Sequence, residues 1–224
     1  MIKVGYFKRP ILRGRDIKKY SYEFADLWII NTHNGVKEKG VKPINVDDYP
    51  AIKNHLNNYL LQLENRQDKG DTIYNLRNCA YMEDFSKQKI IWAEIARSGN
   101  AFTFDNNGYM VSNTGYMLVV NENMTDENVY DNLLAFLNSK AILFYLNMIS
   151  TRLDETGWRW LRQYVELLPI PKLSDNQLQY ISSEIQSQLS EVSSCGQIKI
   201  NAFVNDLYNF DKEEVMFLNG LLSK

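Results

Sequence analysis

The chain has 224 residues, 45% of them hydrophobic and 23% charged, with a formal net charge of −2 and a pI near 5.8. That apolar content is enough for one sizeable core, or a core with a smaller appended unit, and excludes a disordered protein. The near-neutral balance excludes a surface coated in positive charge, so any nucleic-acid contact is confined to one face.

The first twenty residues depart from that balance: they hold seven Lys or Arg against one Asp, about +6, which leaves about −8 for the other 204. Much of this charge lies in Pro10-Ile11-Leu12-Arg13-Gly14-Arg15-Asp16-Ile17-Lys18-Lys19-Tyr20. A basic edge on an acidic body suits an anionic partner such as a phosphate backbone, where Lys and Arg release condensed counterions. A solvated surface strand is the plain alternative. Residues 1–9 lack the apolar stretch and small-residue cleavage site of a signal peptide, and no run of about 18 apolar residues occurs. The expectation is a cytoplasmic protein with no membrane partner.

Residues 10–12 read as extended, followed by a short turn or helix through Gly14 to Lys19. Leu27-Trp28-Ile29-Ile30 is apolar and rich in β-formers, which predicts a buried strand. After Asp47, Asp48 and Pro50, the spacing of Ile52, Leu56, Tyr59, Leu60 and Leu63 predicts one amphipathic helix. Glu64 to Asn78 is polar and aperiodic, a long surface loop, and long ordered loops tend to carry binding functions.

Short β-rich runs at 89–95, 101–104, 109–111 and 116–120, separated by turn-rich pieces, predict an antiparallel or mixed sheet. Val129 to Leu146, interrupted by polar residues near Asn138-Ser139-Lys140, predicts two buried helices. Trp158 and Trp160 alternate with Arg159, so on a strand the indoles share one face and Arg159 takes the other. Core packing explains the indoles; a phosphate- or guanine-facing surface of Arg152, Arg159 and Arg162 is the functional alternative.

Pro169 and Pro171 force an extended exit. The predicted domains are therefore residues 1–171 and a helical extension, 172–224. Ser174 with Gln177 forms a capping box, and Leu178, Ile181, Ile185, Leu189 and Val192 make an apolar stripe that requires a partner helix. Ser193-Ser194-Cys195-Gly196 is expected to end that helix. Amphipathic stretches at 200–208 and after Asp211 complete the tail, which carries seven acidic and three basic residues from Ser174 on and is expected to face protein rather than DNA.

Catalytic constellations are scarce. Phosphate-binding glycine loops, the nucleophile elbow and the H-E-x-x-H helix are missing. Cys79 and Cys195 lie far apart without a C-x-x-C pair, so they read as free thiols rather than zinc ligands or a disulfide. His55 reads as a surface residue, while His33, in Asn31-Thr32-His33-Asn34-Gly35, either reaches a base edge or satisfies a turn.

The run Pro10 to Ile17, the strand ending Ile30-Asn31-Thr32-His33-Asn34-Gly35, and Arg66-Gln67-Asp68-Lys69-Gly70 followed by Tyr74-Asn75-Leu76-Arg77 together resemble the TaqI-like C-terminal specificity domain. That domain belongs to type II restriction-modification enzymes in which one polypeptide cuts and methylates DNA. Leu137-Asn138-Ser139-Lys140, the exit Leu168-Pro169-Ile170-Pro171-Lys172-Leu173 and Asp206 to Val215 are similar to later parts of the same family, and the exit also resembles the spacer junction of type I specificity subunits. The resemblance implies a target recognition domain that reads a short duplex DNA sequence for an attached adenine methyltransferase and endonuclease. Neither an Asn-Pro-Pro-Tyr type motif nor a nuclease motif is found, so no cofactor is expected in this chain; S-adenosylmethionine and Mg2+ would belong to the parent enzyme's other domains. The chain is read as a C-terminal fragment rather than a stand-alone specificity protein.

On this reading the N-terminal cations, including Lys18 and Lys19, with Lys69, Lys87 and Lys89, hold phosphates. Arg13, Arg15, His33, Asn34, Arg77, Asn78, Arg97 and Arg162 are candidates to read bases, and Arg66, Arg152 and Arg159 complete the expected DNA-binding set. Intramolecular pairing of these arginines with Asp or Glu is the competing role. The expected fold is α+β: a twisted mixed sheet with flanking helices, then a C-terminal helical extension.

Overall fold

The computed structural model describes residues 7–97, 99, 101–121, 123 and 128–221. In chain order the strands and α-helices are β1 (Lys8–Leu12), β2 (Ile17–Lys18), β3 (Ser21–Tyr22), β4 (Trp28–Ile30), α1 (Pro50–Asn57), α2 (Leu60–Glu64), β5 (Lys89–Ala93), β6 (Ile95–Ala96), β7 (Phe102–Asp105), β8 (Met110–Val111), β9 (Gly115–Leu118), α3 (Val129–Leu137), α4 (Lys140–Ile149), β10 (Thr151–Arg152), β11 (Trp158–Arg159), α5 (Arg162–Val165), α6 (Asp175–Ser190), α7 (Ser194–Leu207) and α8 (Lys212–Leu221). The fold is α+β, with the strands in several small sheets rather than one large twisted sheet.

Two compact units divide the chain: one holds the residues up to Pro10 with Asp26–Phe85, the other Ile11–Ala25 with Ser86–Lys224. The first half of β1 pairs antiparallel with β4, and its second half runs parallel to β8. No compact-unit boundary falls at 171, because the C-terminal helices complete the core of the second unit.

In the first unit the apolar core is small. Val36, Val46, Ile52 and Phe85 are buried, and Phe7 meets Tyr49 edge to face at 4.6 Å. The predicted single helix is two, because the chain breaks at Asn58-Tyr59. Only Ile52 of α1 is buried, and Leu60 and Leu61 of α2 are exposed. The predicted buried strand is instead a half-exposed edge: β4 has β1 on one side only, and Trp28 stays in solvent under the Lys8 ammonium, 4.2 Å from the ring centroid. An apolar run of four residues cannot by itself separate a core strand from an edge strand.

The second unit has a thick core. Strand β5 is central, with β7 and β9 antiparallel on either side. Its alternation serves two cores: Ile90 and Trp92 face one with Phe102, Leu134, Phe136 and Trp160, while Ile91 packs with Leu12 and Ile17. Burial on both faces explains why its sequence reads as an unbroken apolar run. Lys89 opens the same strand and is a correction to the expected phosphate contacts. It lies directly across from Asp105, Nζ to Oδ2 2.5 Å, and neither side chain reaches solvent. An opposite-charge cross-strand pair holds the two strands in register.

Helices α3 and α4 meet at 68° where Ser139 caps α4, its hydroxyl accepting from the Ile142 N–H. Ile181 and Ile185 of α6 and Ile200 and Val204 of α7 are fully buried in the same core as Leu134 and Leu146. The Ser174–Gln177 box forms as expected. Val192, by contrast, is exposed, and Ser193 starts α7 as its N-cap while the first helix ends at Ser190. No single described helix is long and apolar enough to cross a membrane.

Candidate nucleic-acid interface

Two groups of exposed cations and one polar loop are built by different means. In the second unit the basic turn follows β1 through a 3-10 turn at Gly14–Asp16. Gly14 comes so close to the next strand connection that an added Cβ would sit 2.3 Å from the Thr114 carbonyl oxygen, so no other residue fits. Asp16 is almost fully buried. It accepts from the Arg13 backbone N–H, from Arg13 Nε at 2.9 Å and from Nη2 at 2.8 Å, and the guanidinium holds its carboxyl below the usual range. Arg13 therefore spends its fork on Asp16 and is a correction to the base-reading set. The spacing Arg13-x-x-Asp16 was a local signal for this pair.

The same turn projects Arg15 and Lys18 outward. Lys18 donates to the Arg15 carbonyl at 3.0 Å, and the Arg15 guanidinium makes no hydrogen bond among the described residues. Lys19 bends over the Tyr20 ring, where burial, with Lys140 nearby, lowers its pKa to about 8. Lys87 is exposed.

Strands β6, β11 and β10 form the second group, in that order across an antiparallel sheet. The register sets Arg159 beside Ile95 and Thr151, all three exposed. Arg97 bonds Asp154 at 2.8 Å and Thr156 at 3.1 Å, and Arg152 donates to the Asp154 and Glu155 carbonyls at 2.9 and 2.7 Å. Both brace the hairpin between β10 and β11. Arg162 bonds Glu166 one helical turn on, at 2.6 Å. Arg159 keeps a looser contact, 3.8 Å from Glu94.

The polar loop, residues 65–81, belongs to the first unit and contains no helix or strand. Its anchors are buried polar side chains: Thr32, Asn34 and Asn75. Thr32 donates its hydroxyl to the Tyr74 carbonyl at 2.7 Å, and Asn75 donates to the Ile44 and His33 carbonyls at 2.9 and 3.3 Å. Asn34 accepts from the Asp71 N–H at 2.8 Å and donates to Asp71 and Asn78 at 3.0 and 2.6 Å. Every hydrogen of that amide is spent inside the protein, so Asn34 is a positioning residue and not a base reader. Arg66 likewise turns inward, onto the Ile73 and Asn75 carbonyls.

His33 takes the turn role: its Nδ1 accepts from the Gly35 N–H at 3.2 Å, Gly35 adopts φ +75°, and partial burial lowers the imidazole pKa. Lys69 caps the preceding helix by donating to the Glu64 carbonyl. Arg77 and Asn78 remain on the outer side. Sequence reading gave no role to Thr32 or Asn75; the backbone carbonyls named above as their partners lie 31 to 42 residues away.

The structure thus sorts the arginines. Arg13, Arg66, Arg97, Arg152 and Arg162 make close internal hydrogen bonds, whereas Arg15, Arg77 and Arg159 are exposed without one among the described residues. Cys79 and Cys195 are free, and burial raises the Cys79 thiol, opposite to the activation a nucleophile needs. Among the described residues no group of three or more His, Cys, Asp or Glu could hold a metal ion.

The chain belongs to the family of the TaqI-like C-terminal specificity domain, whose model matches residues 9–170. Its fold is similar to part of the solved structure of the type IIG restriction endonuclease BpuSI, with a TM-score of 0.51 at 11% identity over 90% of this chain. The chain spans 26% of that enzyme's length. Comparison with curated proteins gives no significant match.

Proposed function

We propose that this chain reads a short sequence in duplex DNA and directs an attached adenine-N6 methyltransferase and endonuclease to it. Membership of a specificity-domain family over residues 9–170 carries this reading. Catalysis belongs to domains outside the chain, in the cytoplasm, with S-adenosylmethionine and Mg2+ bound there.

Recognition has two layers. Arg15 and Lys18, with Lys69 and Lys87, meet phosphates and supply affinity that falls steeply with salt. Arg77, Asn78 and Arg159 have the donors for base edges, where a forked arginine discriminates by roughly 1–3 kcal/mol per base pair.

Selection from a randomised duplex pool at moderate salt, followed by affinities of winning and scrambled sequences across a salt series, tests this. The expected outcome is a short enriched motif with a steep salt slope. Salt-insensitive binding to a neutral carbohydrate or peptide, with no DNA binding at low salt, would replace the reading with a different ligand class.

A further inference from the structure

Ordering a polar loop is costly. Each residue fixed loses about 1–2 kcal/mol of backbone entropy, and residues 65–81 recover little of it from apolar burial. Recovery comes instead from the clamp of Thr32, Asn34, Asn75 and Arg66 beneath the loop backbone. The fit is close: a Cβ on Gly70 would lie 2.5 Å from both Asn34 Oδ1 and the Leu76 carbonyl. The loop is therefore rigid from below and open above.

Its open side is chemically mixed. Arg77 is 60% exposed, and Asp68, 76% exposed, lies 3.7 Å away, too far for a hydrogen bond but near enough to bias the guanidinium. Beside it, Asn78 gives its carbonyl oxygen to Asn34, which leaves the amide N–H2 directed away from that bond. Reading a base edge requires donors and acceptors presented from a fixed backbone, which the clamp supplies. The Arg15–Lys18 turn also has a carboxylate nearby, Glu23 at 3.7 Å from Lys18, but it offers cations without an amide beside them, the chemistry of a phosphate contact.

We infer that Arg77, held on a loop set in place by Asn34 and Asn75, is a specificity-determining residue that reads a guanine through its forked N–H donors. The inference rests on the proposed DNA recognition and assigns one base contact within it. The Arg77 side chain is on the surface and makes no hydrogen bond among the described residues, so its substitution leaves the clamp intact.

The test is duplex selection with the wild-type chain, Arg77→Ala, Arg77→Lys and Asn34→Ala, each first checked for native near-ultraviolet circular dichroism. Both Arg77 variants are expected to lose preference at one guanine, by about 5- to 150-fold, and to keep it at the other positions. Arg77→Lys should keep the wild-type salt slope, since the charge remains. Asn34→Ala should weaken preference at the same position, and at any position that Asn78 reads, because it acts through the loop. A consensus unchanged in Arg77→Ala overturns the inference and would mark a phosphate contact, and full guanine preference in Arg77→Lys overturns it too, because a point charge would then suffice and the fork would not be what reads the base. If the wild-type chain itself enriches nothing, the recognition reading fails first, an outcome distinct from either variant result.

Discussion

The two units are ordered by different forces. In the second, sheet β7-β5-β9 and helices α3, α4, α6 and α7 share an apolar core in which Ile90, Phe102, Leu134, Leu146, Ile181 and Val204 are fully buried. In the first, the long loop is held by hydrogen bonds from Thr32, Asn34 and Asn75. Apolar packing is non-directional and tolerates exchange of one aliphatic residue for another, whereas a buried amide network accepts few substitutes. A loop of the second kind can hold a fixed geometry while its exposed side chains vary, which suits a surface that must discriminate among partners.

The largest expected effect comes from removing part of the apolar unit. Deleting residues 174–224 takes away Ile181, Ile185, Ile200, Val204 and Leu218, all buried. At about 1.5–3 kcal/mol each, this removes about 7–15 kcal/mol, as much as an ordinary domain's whole stability. Thermal unfolding followed by near-ultraviolet circular dichroism should lose its cooperative transition. A sharp transition in the truncated chain would mean that the tail is an appendage after all.

A smaller and more local loss is expected from Asn75→Ala, which takes the Asn75 donor from the Ile44 carbonyl, while the His33 carbonyl keeps the Ile44 N–H, at a cost of about 1–3 kcal/mol. Hydrogen exchange should accelerate at the amides of Gly70 and Leu76 and stay unchanged in β5. Equal acceleration in β5 would erase the contrast between the units.

The effect confined to a single side chain concerns pH. Burial, with help from Lys140, lowers folded Lys19 to about 8, so between there and the ordinary lysine value the unfolded chain binds the extra proton. Stability then rises with pH through that window. Urea unfolding at pH 7 to 10 should show the wild type gaining on Lys19→Gln as pH increases. A pH-independent difference between the two would assign Lys19 an ordinary solvated ammonium.

Local pattern determined much of this molecule. The α-helices after residue 128 other than α5, and the strands at 89–93 and 102–105, were legible because apolar periodicity and capping residues act within a few positions, as the Ser174–Gln177 box does. Arg77 was legible as a candidate but not separable from Arg66 or Arg97. That separation required the partners: the Asp154 carboxylate for Arg97, and loop carbonyls for Arg66. Lys89 shows the limit most plainly. Its charge suggested solvent, and only the register that sets it opposite Asp105 makes burial affordable. The sequence by itself determined most of the longer helices and strands, since those preferences are local, but not the break between α1 and α2 or the short α5. Apart from the local Arg13–Asp16 pair, the tertiary structure decided which charges face inward, because the partner of a charge such as Lys89 is brought to it only by the fold.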